Sequence, residues 1–194
     1  MEKKNLFFLK SKFLYTLELL ENIIEKKKLL INMKNLKLKG LKYNKGKYFL
    51  FSDRFVFFPP QVIDVLSSIY GEGVKSLLVW LGKKAGWTLI QNWDENLKSK
   101  TLEDLINQCC NILNNHGWGR FVPRQISAEL IIVNLFHNIS SELENKSKYF
   151  CYFVKGLLTG IGEFALYRVN VNETQCCLEL LNLDFCEYKI EKIK

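Results

Sequence analysis

The spacing of hydrophobic residues changes from a helical period to a strand period near residue 34. Residues 12–33 predict an amphipathic helix, because their apolar side chains fall on one stripe: Phe13, Leu17, Leu20, Ile24 and Ile31. Residues 35–58 alternate with a period of two around Asn44-Lys45-Gly46, which predicts a hairpin and a further strand. Pro59-Pro60 ends that strand and opens the next helix. The pattern divides the chain into a helical extension, residues 1–36, and a mixed domain, residues 37–194.

Helical periodicity predicts three helices in the middle of the chain, over residues 61–70, 72–92 and 102–113. The side chains of the second that are expected to face inward are Val74, Leu77, Leu78, Leu81 and Ala85. Gly82 and Gly86 lie four residues apart, which favours either tight helix packing or the close approach of a ligand. Thr101 is the expected N-cap of the third helix.

The last third of the chain alternates strongly. Strands are predicted over residues 117–122, 128–136 and 165–173, with a helix over residues 151–162. The third strand places Glu173 on the same face as Tyr167, Val169 and Val171, which is unfavourable for an unpaired carboxylate. A strand in the opposite phase follows, with its apolar face formed by Cys176, Leu178 and Leu180.

Four of the six cysteines lie in this last segment, at positions 151, 176, 177 and 186. If Thr174-Gln175 forms a bulge or turn, Glu173, Cys176 and Cys186 point inward together, and Cys177 is the odd one out. Cys151 completes the set from the neighbouring helix. Three thiolates and a carboxylate suit a closed tetrahedral zinc site. The segment has no Cys-x-x-Cys pair, so the alternative stays open that the cysteines are small core residues and Glu173 caps a turn.

The same residues carry a resemblance to a known family. A Cys, then Gly-x-x-x-Gly, then Glu-x-x-Cys, then a Cys with an aromatic residue two positions on resembles the C-terminal half of the 4-vinyl reductase domain. The matching positions here are Cys151, Gly156, Gly160, Glu173, Cys176, Cys186 and Tyr188. That domain also occurs in phenol-sensing activators and hydrocarbon-binding proteins, and it is similar in fold to the vesicle-tethering TRAPP subunits and haem-NO-binding domains. The segment between the last two cysteines departs from the family pattern, because it lacks the usual glycine.

The resemblance implies an α+β fold with an antiparallel sheet packed against a helical layer. It implies a structural zinc ion held by Cys151, Glu173, Cys176 and Cys186, an apolar pocket for a hydrocarbon, aromatic or lipid-like molecule, and a homodimer that acts through an effector protein. The candidate pocket residues, chosen by aromatic density, are Phe57, Trp80, Trp87, His116, Trp118, Phe121 and Phe136. His116 also suits a partner of the helix dipole. The alternatives are a TRAPP-like scaffold and an accessory factor in tetrapyrrole reduction.

Composition narrows these possibilities. The net charge of +8 comes from 28 basic and 20 acidic residues, with many of the lysines before residue 50. No secretory signal and no bilayer-length apolar run is present, so a cytoplasmic protein with free or metal-bound cysteines is expected. No Ser-His-Asp order, P-loop or dinucleotide fingerprint is found, and we expect no enzymatic activity.

The predicted N-terminal helix has three possible uses. It can pack on its own domain or on a dimer mate. It can lie on a membrane surface, because Lys26-Lys27-Lys28 follows its apolar face. Nucleic-acid binding is the least favoured of the three and is not expected, because glutamates dilute the positive charge and the segment contains no arginine.

Overall fold

A computed structural model describes residues 41–50, 53–55, 61–142, 148–180 and 182–193. The predicted N-terminal helix, the boundary between residues 36 and 37, and the candidate pocket residue Phe57 lie outside these ranges. The described chain combines helices with two antiparallel sheets. The predicted fold class, α+β, is therefore confirmed.

The first sheet is a small meander. Its strands are β1 (Leu41–Asn44), β2 (Lys47–Leu50) and β3 (Asp53–Phe55), paired in that order. Lys45 and Gly46 both have positive φ, 47° and 81°, as expected of the two central residues in a tight hairpin turn. The predicted hairpin is confirmed.

The second sheet has four strands and supplies the wall of the core. The strands are β4 (Arg120–Ile126), β5 (Leu130–Phe136), β6 (Val169–Gln175) and β7 (Phe185–Lys192), in the order β4-β5-β7-β6. β7 alternates as its sequence predicts, and the side chains that it buries are Cys186, Tyr188 and Ile190. Their partners across the ladder are Leu135, Val133 and Ile131 of β5, which are also buried. The buried faces of β5 and β7 are thus apolar along these three pairs.

The helices are α1 (Gln61–Tyr70), α2 (Val74–Leu97), α3 (Leu102–Asn114) and α4 (Tyr149–Leu166), with short 3₁₀ turns at Gly71–Gly73 and Ile139–Ser141. Thr101 caps α3 as predicted, because its hydroxyl accepts a hydrogen bond from the Asp104 backbone N–H at 3.1 Å. α4 is the central helix. It packs on α2 on one side, and its Gly162 approaches Ile190 and Val169 of the sheet on the other.

Glycines make the contact between α2 and α4 unusually close. A methyl group on Gly82 or Gly86 would overlap the α4 backbone at Phe153 or Leu157, and one on Gly156 or Gly160 would overlap the α2 backbone. Gly82 and Gly86 therefore serve tight helix packing, which the sequence left open beside the close approach of a ligand. The arrangement fixes α4, and with it Cys151, against a rigid neighbour.

We expect Gly86→Ala to destabilise the domain, because its new methyl group would meet backbone that cannot move independently. Overpacking of this kind costs about 1–3 kcal/mol, which corresponds to a decrease in Tm of about 2–12 °C for a chain of this length. Gly73→Ala is the matched control, since nothing lies within 4 Å of its added methyl group. Thermal unfolding by circular dichroism measures both, and an equal response of the two variants would contradict the interlocked packing.

A polar cluster also joins α2 and α4. Glu163 of α4 accepts hydrogen bonds from Lys83 Nζ at 2.7 Å and from Trp87 Nε1 at 3.0 Å, both on α2. Burial alone would raise the pKa of Glu163, but these two donors and the charge of Lys83 lower it. A carboxylate with a lowered folded pKa stabilises the fold above its unfolded pKa, and it loses that contribution as the pH falls through the folded value.

Glu163→Gln is therefore expected to lower the free energy of unfolding at pH 7 by about 1–2 kcal/mol, because it removes the charge from two hydrogen bonds. The difference from the parent protein should shrink as the pH falls below about 4.3, the ordinary pKa of glutamate, and disappear once Glu163 is protonated. Urea unfolding across this pH range measures the effect, with the exposed Glu142→Gln as control. A difference that stays constant with pH would show that the charge of Glu163 does not matter.

Three local predictions were wrong. α4 continues to Leu166, and Tyr167 follows it with φ of 81° and 78% exposure, so the next strand begins only at Val169. Residues 177–179 form a turn rather than a strand. Leu77 and Leu81 of α2 are exposed, whereas Val74 and Leu78 are buried as predicted, because the close approach to α4 continues the buried stripe at Gly82, Gly86 and Ile90.

In the part of the chain that the structure describes, none of the helices has the length and hydrophobicity needed to cross a membrane.

Candidate metal centre

The candidate metal ligands come from three elements that meet at one end of the second sheet. Cys151 lies in the first turn of α4, Glu173 lies on β6, Cys176 follows the end of β6, and Cys186 lies on β7. The pairing of β6 with β7 shifts register between Glu173 and Gln175. This irregularity is at the site where the sequence requires a bulge, and it turns Glu173 and Cys176 to the same side.

The four side chains form one compact group. A ligand atom from each of Cys151, Glu173, Cys176 and Cys186 lies within 4.8 Å of the others. The three cysteines are 0–2% exposed, and the Glu173 side chain is 11% exposed. The group is thus closed to solvent on the thiol side, as structural metal sites usually are.

The distances suit zinc. Zinc binds cysteine sulfur at about 2.3 Å in a tetrahedron, so two ligand sulfurs should be separated by about 3.8 Å. The Sγ atoms of Cys176 and Cys186 are 3.7 Å apart. Three soft sulfurs and one oxygen are also the donor types that zinc accepts.

The carboxylate of Glu173 is held in place by a lysine. Lys148 Nζ lies 3.2 Å from Glu173 Oε2 and 2.7 Å from Glu179 Oε1. Oε1 of Glu173 is buried without a hydrogen-bond partner among the described residues. An unpartnered buried carboxylate oxygen is costly, and a metal ion would satisfy it. The orphan oxygen is therefore a second observation that fits zinc.

The pKa values of the clustered thiols differ from one another. Hydrogen bonds with Cys151, Cys176 and the amide of Asn138 lower the pKa of Cys186 to about 5, although burial acts in the opposite direction. Donation to Cys176 and Cys186, together with burial, raises the pKa of Cys151. Burial and the nearby Cys176 raise the pKa of Glu173, although Lys148 acts in the opposite direction. These shifts favour the thiolate, the form that binds metal, at Cys186 and the protonated thiol at Cys151.

Asn138 is a site residue that sequence analysis missed. Its side-chain Nδ2 lies 3.3 Å from Cys151 Sγ and 3.4 Å from Cys186 Sγ, and it is fully buried. Its Oδ1 accepts a hydrogen bond from the Ser140 backbone N–H at 3.0 Å, which orients the amide. The signal in the sequence was weak, because an asparagine after a strand reads as a turn residue.

Cys177 is also close to the cluster. Its Sγ lies 3.5 Å from Cys186 Sγ, but it is only half-buried and does not belong to the group of four. The sequence likewise set Cys177 apart from the other three cysteines, although by the phase of a strand where the structure has a turn.

The candidate pocket residues fall into separate groups. His116 and Trp118 lie together, with ring centroids 4.9 Å apart, and Trp118 also packs edge-on against Phe150 and Phe153 of α4. Nδ1–H of His116 donates to the Ile112 carbonyl at the end of α3, and burial lowers the pKa of the ring. Phe150 and Phe153 were not predicted as pocket residues, and their only signal in the sequence was their position on either side of Cys151.

The other candidates are more dispersed. Trp87 contacts Phe164 of α4, Phe136 contacts Phe185 of β7, and Phe121 is fully buried in the main core. Trp80 is 56% exposed on α2. The structure therefore brings His116 and Trp118 together, but it joins Trp87 and Phe136 to different neighbours.

Solved structures show what this fold is similar to. The phenol-responsive sensory domain of the transcription activator PoxR, solved with phenol, aligns over 79% of this chain and 85% of that domain, with 12% identity and a TM-score of 0.66. Subunit 3 of the trafficking protein particle complex from Naegleria fowleri, covalently bound to palmitic acid, aligns over 69% of this chain and 90% of the subunit, with 16% identity and a TM-score of 0.52. An H-NOX protein from S. oneidensis gives 11% identity over 92% of this chain and 97% of its own, with a TM-score of 0.48.

No protein-family model and no curated protein sequence matches the chain. The likeness is therefore one of fold. The chain folds like the phenol-responsive domain and the trafficking-complex subunit, two of the fold relatives that its sequence predicts.

Proposed function

We propose that the domain is a small-molecule-binding sensor module with a structural zinc ion held by Cys151, Glu173, Cys176 and Cys186. The observation that carries the proposal is the convergence of three buried thiols and one carboxylate from α4, β6 and β7. Zinc bound there ties the β6–β7 connection to the first turn of α4. With four protein ligands it has no open position, so it contributes folding energy rather than catalysis.

The ligand site is proposed at the aromatic group around Trp118. Phe150 and Phe153, which pack against Trp118, flank Cys151 on α4. The similar domain of PoxR is phenol-responsive, and the similar trafficking subunit carries palmitic acid. An aromatic wall with one histidine suits an apolar molecule that carries a single polar group. A ligand at Trp118 would act on the helix that the zinc ion anchors.

Two probes test the proposed binding. Phenol and palmitate are each titrated into the full chain, and binding is followed by isothermal calorimetry and tryptophan fluorescence. Saturable binding of either probe, weakened about 2- to 10-fold by Trp118→Leu, supports the site, since an aromatic contact is worth about 0.5–1.5 kcal/mol beyond its buried area. Trp80→Leu is the control on an exposed tryptophan. Binding unaffected by Trp118→Leu would exclude this location.

Asn138 should tune the affinity for zinc. Replacing a group that orients metal ligands typically weakens metal binding by about 10–100-fold. We expect this range for Asn138→Asp, which keeps the shape of the side chain but directs an oxygen toward the sulfurs of Cys151 and Cys186. Competition with a chromogenic zinc chelator measures the affinity. Asn170→Asp, on an exposed position of β6, is the control, and equal affinities of the two variants would contradict this role.

A scaffold role is the second candidate, favoured by apolar residues exposed on the first two helices. These are Val65, Ile69 and Tyr70 on α1 and Leu77, Trp80 and Leu81 on α2. We infer that they form a homodimer contact. Light scattering coupled to gel filtration tests this: Ile69→Glu should yield monomers, while Tyr43→Glu, at an exposed site on β1, should not. A monomeric parent protein would refute the dimer.

The location proposed for the protein is the cytoplasm. All six cysteines are free in the structure, including the four near the candidate metal site. A reducing compartment keeps thiols in the form that zinc requires.

A further inference from the structure

Cys177 stands next to the candidate metal ligands without being one of them. Its Sγ lies 3.5 Å from Cys186 Sγ, closer than the 3.7 Å that separates Cys176 from Cys186. It occupies the turn that follows β6 and is half-buried, whereas the other three thiols are 0–2% exposed. An oxidant that reaches the cluster from solvent therefore meets Cys177 first.

We propose that Cys177 is a redox-active thiol that forms a disulfide with Cys186 when the protein meets a peroxide, and that this step releases the metal ion. The inference about metal release rests on the proposed zinc site. The thiol pair itself rests on the distance between the two sulfurs and on their unequal exposure. No residue of the proposed ligand pocket is involved.

The proposed oxidation takes two steps. Hydrogen peroxide oxidises the Cys177 thiol to sulfenic acid, as the O–O bond breaks and one water molecule leaves. The sulfur of Cys186 then attacks the sulfenic sulfur, an S–S bond forms, and the departing hydroxide leaves as a second water after taking a proton. Two electrons pass from the two sulfurs to the peroxide.

The consequence for the metal follows from the ligand count. Once Cys186 is in a disulfide, its sulfur is no longer a thiolate and cannot bind zinc. Cys151, Cys176 and Glu173 remain, one ligand short of a closed structural site. Asn138, which contacts both Cys151 and Cys186, also loses one of its two sulfur partners. A thiol reductant reverses the bond and restores all four ligands.

The test uses the full chain as purified, with its zinc content measured first. Protein is exposed to hydrogen peroxide in the presence of a chromogenic zinc chelator, free thiols are blocked with iodoacetamide, and disulfides are then reduced and labelled with N-ethylmaleimide. Trypsin releases residues 169–189 as one peptide, which contains Cys176, Cys177 and Cys186, and fragmentation between 176 and 177 locates the label. Cys151 lies in a separate peptide and reports on unrelated oxidation.

We expect the N-ethylmaleimide label, which marks former disulfides, on Cys177 and Cys186. Zinc release should follow the same time course as disulfide formation, and zinc binding should recover after reduction. Cys177→Ser should bind zinc normally and release it at least about tenfold more slowly, because it lacks the neighbouring thiol whose proximity makes disulfide formation fast. A Cys176–Cys186 disulfide in the parent protein, or equally fast release from Cys177→Ser, would overturn the inference. Protein that carries no zinc but forms the Cys177–Cys186 disulfide would instead refute the zinc site and leave the thiol pair standing.

Discussion

Cys186→Ser is expected to abolish zinc binding, from about one ion per chain to almost none. Cys186 is fully buried, and its sulfur is contacted by Cys176, Cys177 and Asn138. Serine keeps the size of the side chain, but its hydroxyl does not ionise to give the anionic soft ligand that zinc prefers. The remaining three ligands leave an open and weaker site.

The same substitution should lower stability. A ligand present at about 1,000 times its Kd stabilises a fold by about 4.1 kcal/mol, so loss of the zinc ion should lower Tm by about 8–16 °C. Cys110→Ser is the matched control, because Cys110 is also a buried thiol but lies on α3, outside the cluster. Elemental analysis of untagged protein and thermal unfolding measure both variants. Full zinc content in the Cys186→Ser protein would remove Cys186 from the ligand set.

Removal of the metal from the parent protein should have a comparable effect without any mutation. A strong chelator is expected to lower Tm by about 10 °C, because the zinc ion binds the folded chain and not the unfolded one. The buried thiols and the Oε1 atom of Glu173 would then lack their partner. Added zinc should restore the original Tm.

Two variants make this experiment specific. Gly86→Ala protein is expected to be less stable because its helices overlap, but it keeps the four ligands, so chelation should lower its Tm by the same amount as in the parent. Cys186→Ser protein has no zinc to lose, so its Tm should not respond. A response of Cys186→Ser equal to that of the parent would mean that the chelator acts elsewhere.

The candidate metal ligands could be predicted because their order in the sequence determines their direction. Alternation places Cys186 on the buried face of β7 with Tyr188 and Ile190, and the structure shows this arrangement. The phase conflict between Glu173 and Cys176 required a bulge, and the register shift lies beside Glu173. A break in the alternation of buried and exposed positions along a strand thus predicts a local irregularity of the backbone.

Tertiary packing decided the features that the sequence did not reveal. Leu77 and Leu81 fit an apolar stripe in the sequence. In the structure Gly82 and Gly86 face α4, and Leu77 and Leu81 are therefore exposed. The end of α4 was placed too early, because Gly160 and Gly162 resemble a helix stop in sequence, while burial against α2 and the sheet compensates for their poor helix propensity. Local rules describe the preference of a segment, and packing can outweigh it.

The contact of Asn138 with two cysteine sulfurs was not predictable for a related reason. The asparagine lies 13 residues before Cys151 and 48 before Cys186, and only the folded chain brings them together. The aromatic group at Trp118 likewise joins the segment before β4 to α4, and no local stretch of sequence contains both. Such contacts between distant segments are where binding sites arise, and they require the structure.

X-ray absorption at the zinc edge, on untagged protein purified without added metal, directly tests the claim that the four residues hold zinc. We expect zinc surrounded by three sulfur atoms at about 2.3 Å and one oxygen at about 2.0–2.2 Å. Those distances would identify the ligands as three cysteines and one carboxylate. Folded protein without zinc, or zinc bound only by nitrogen and oxygen, would contradict the claim and leave Cys151, Cys176 and Cys186 as ordinary core residues.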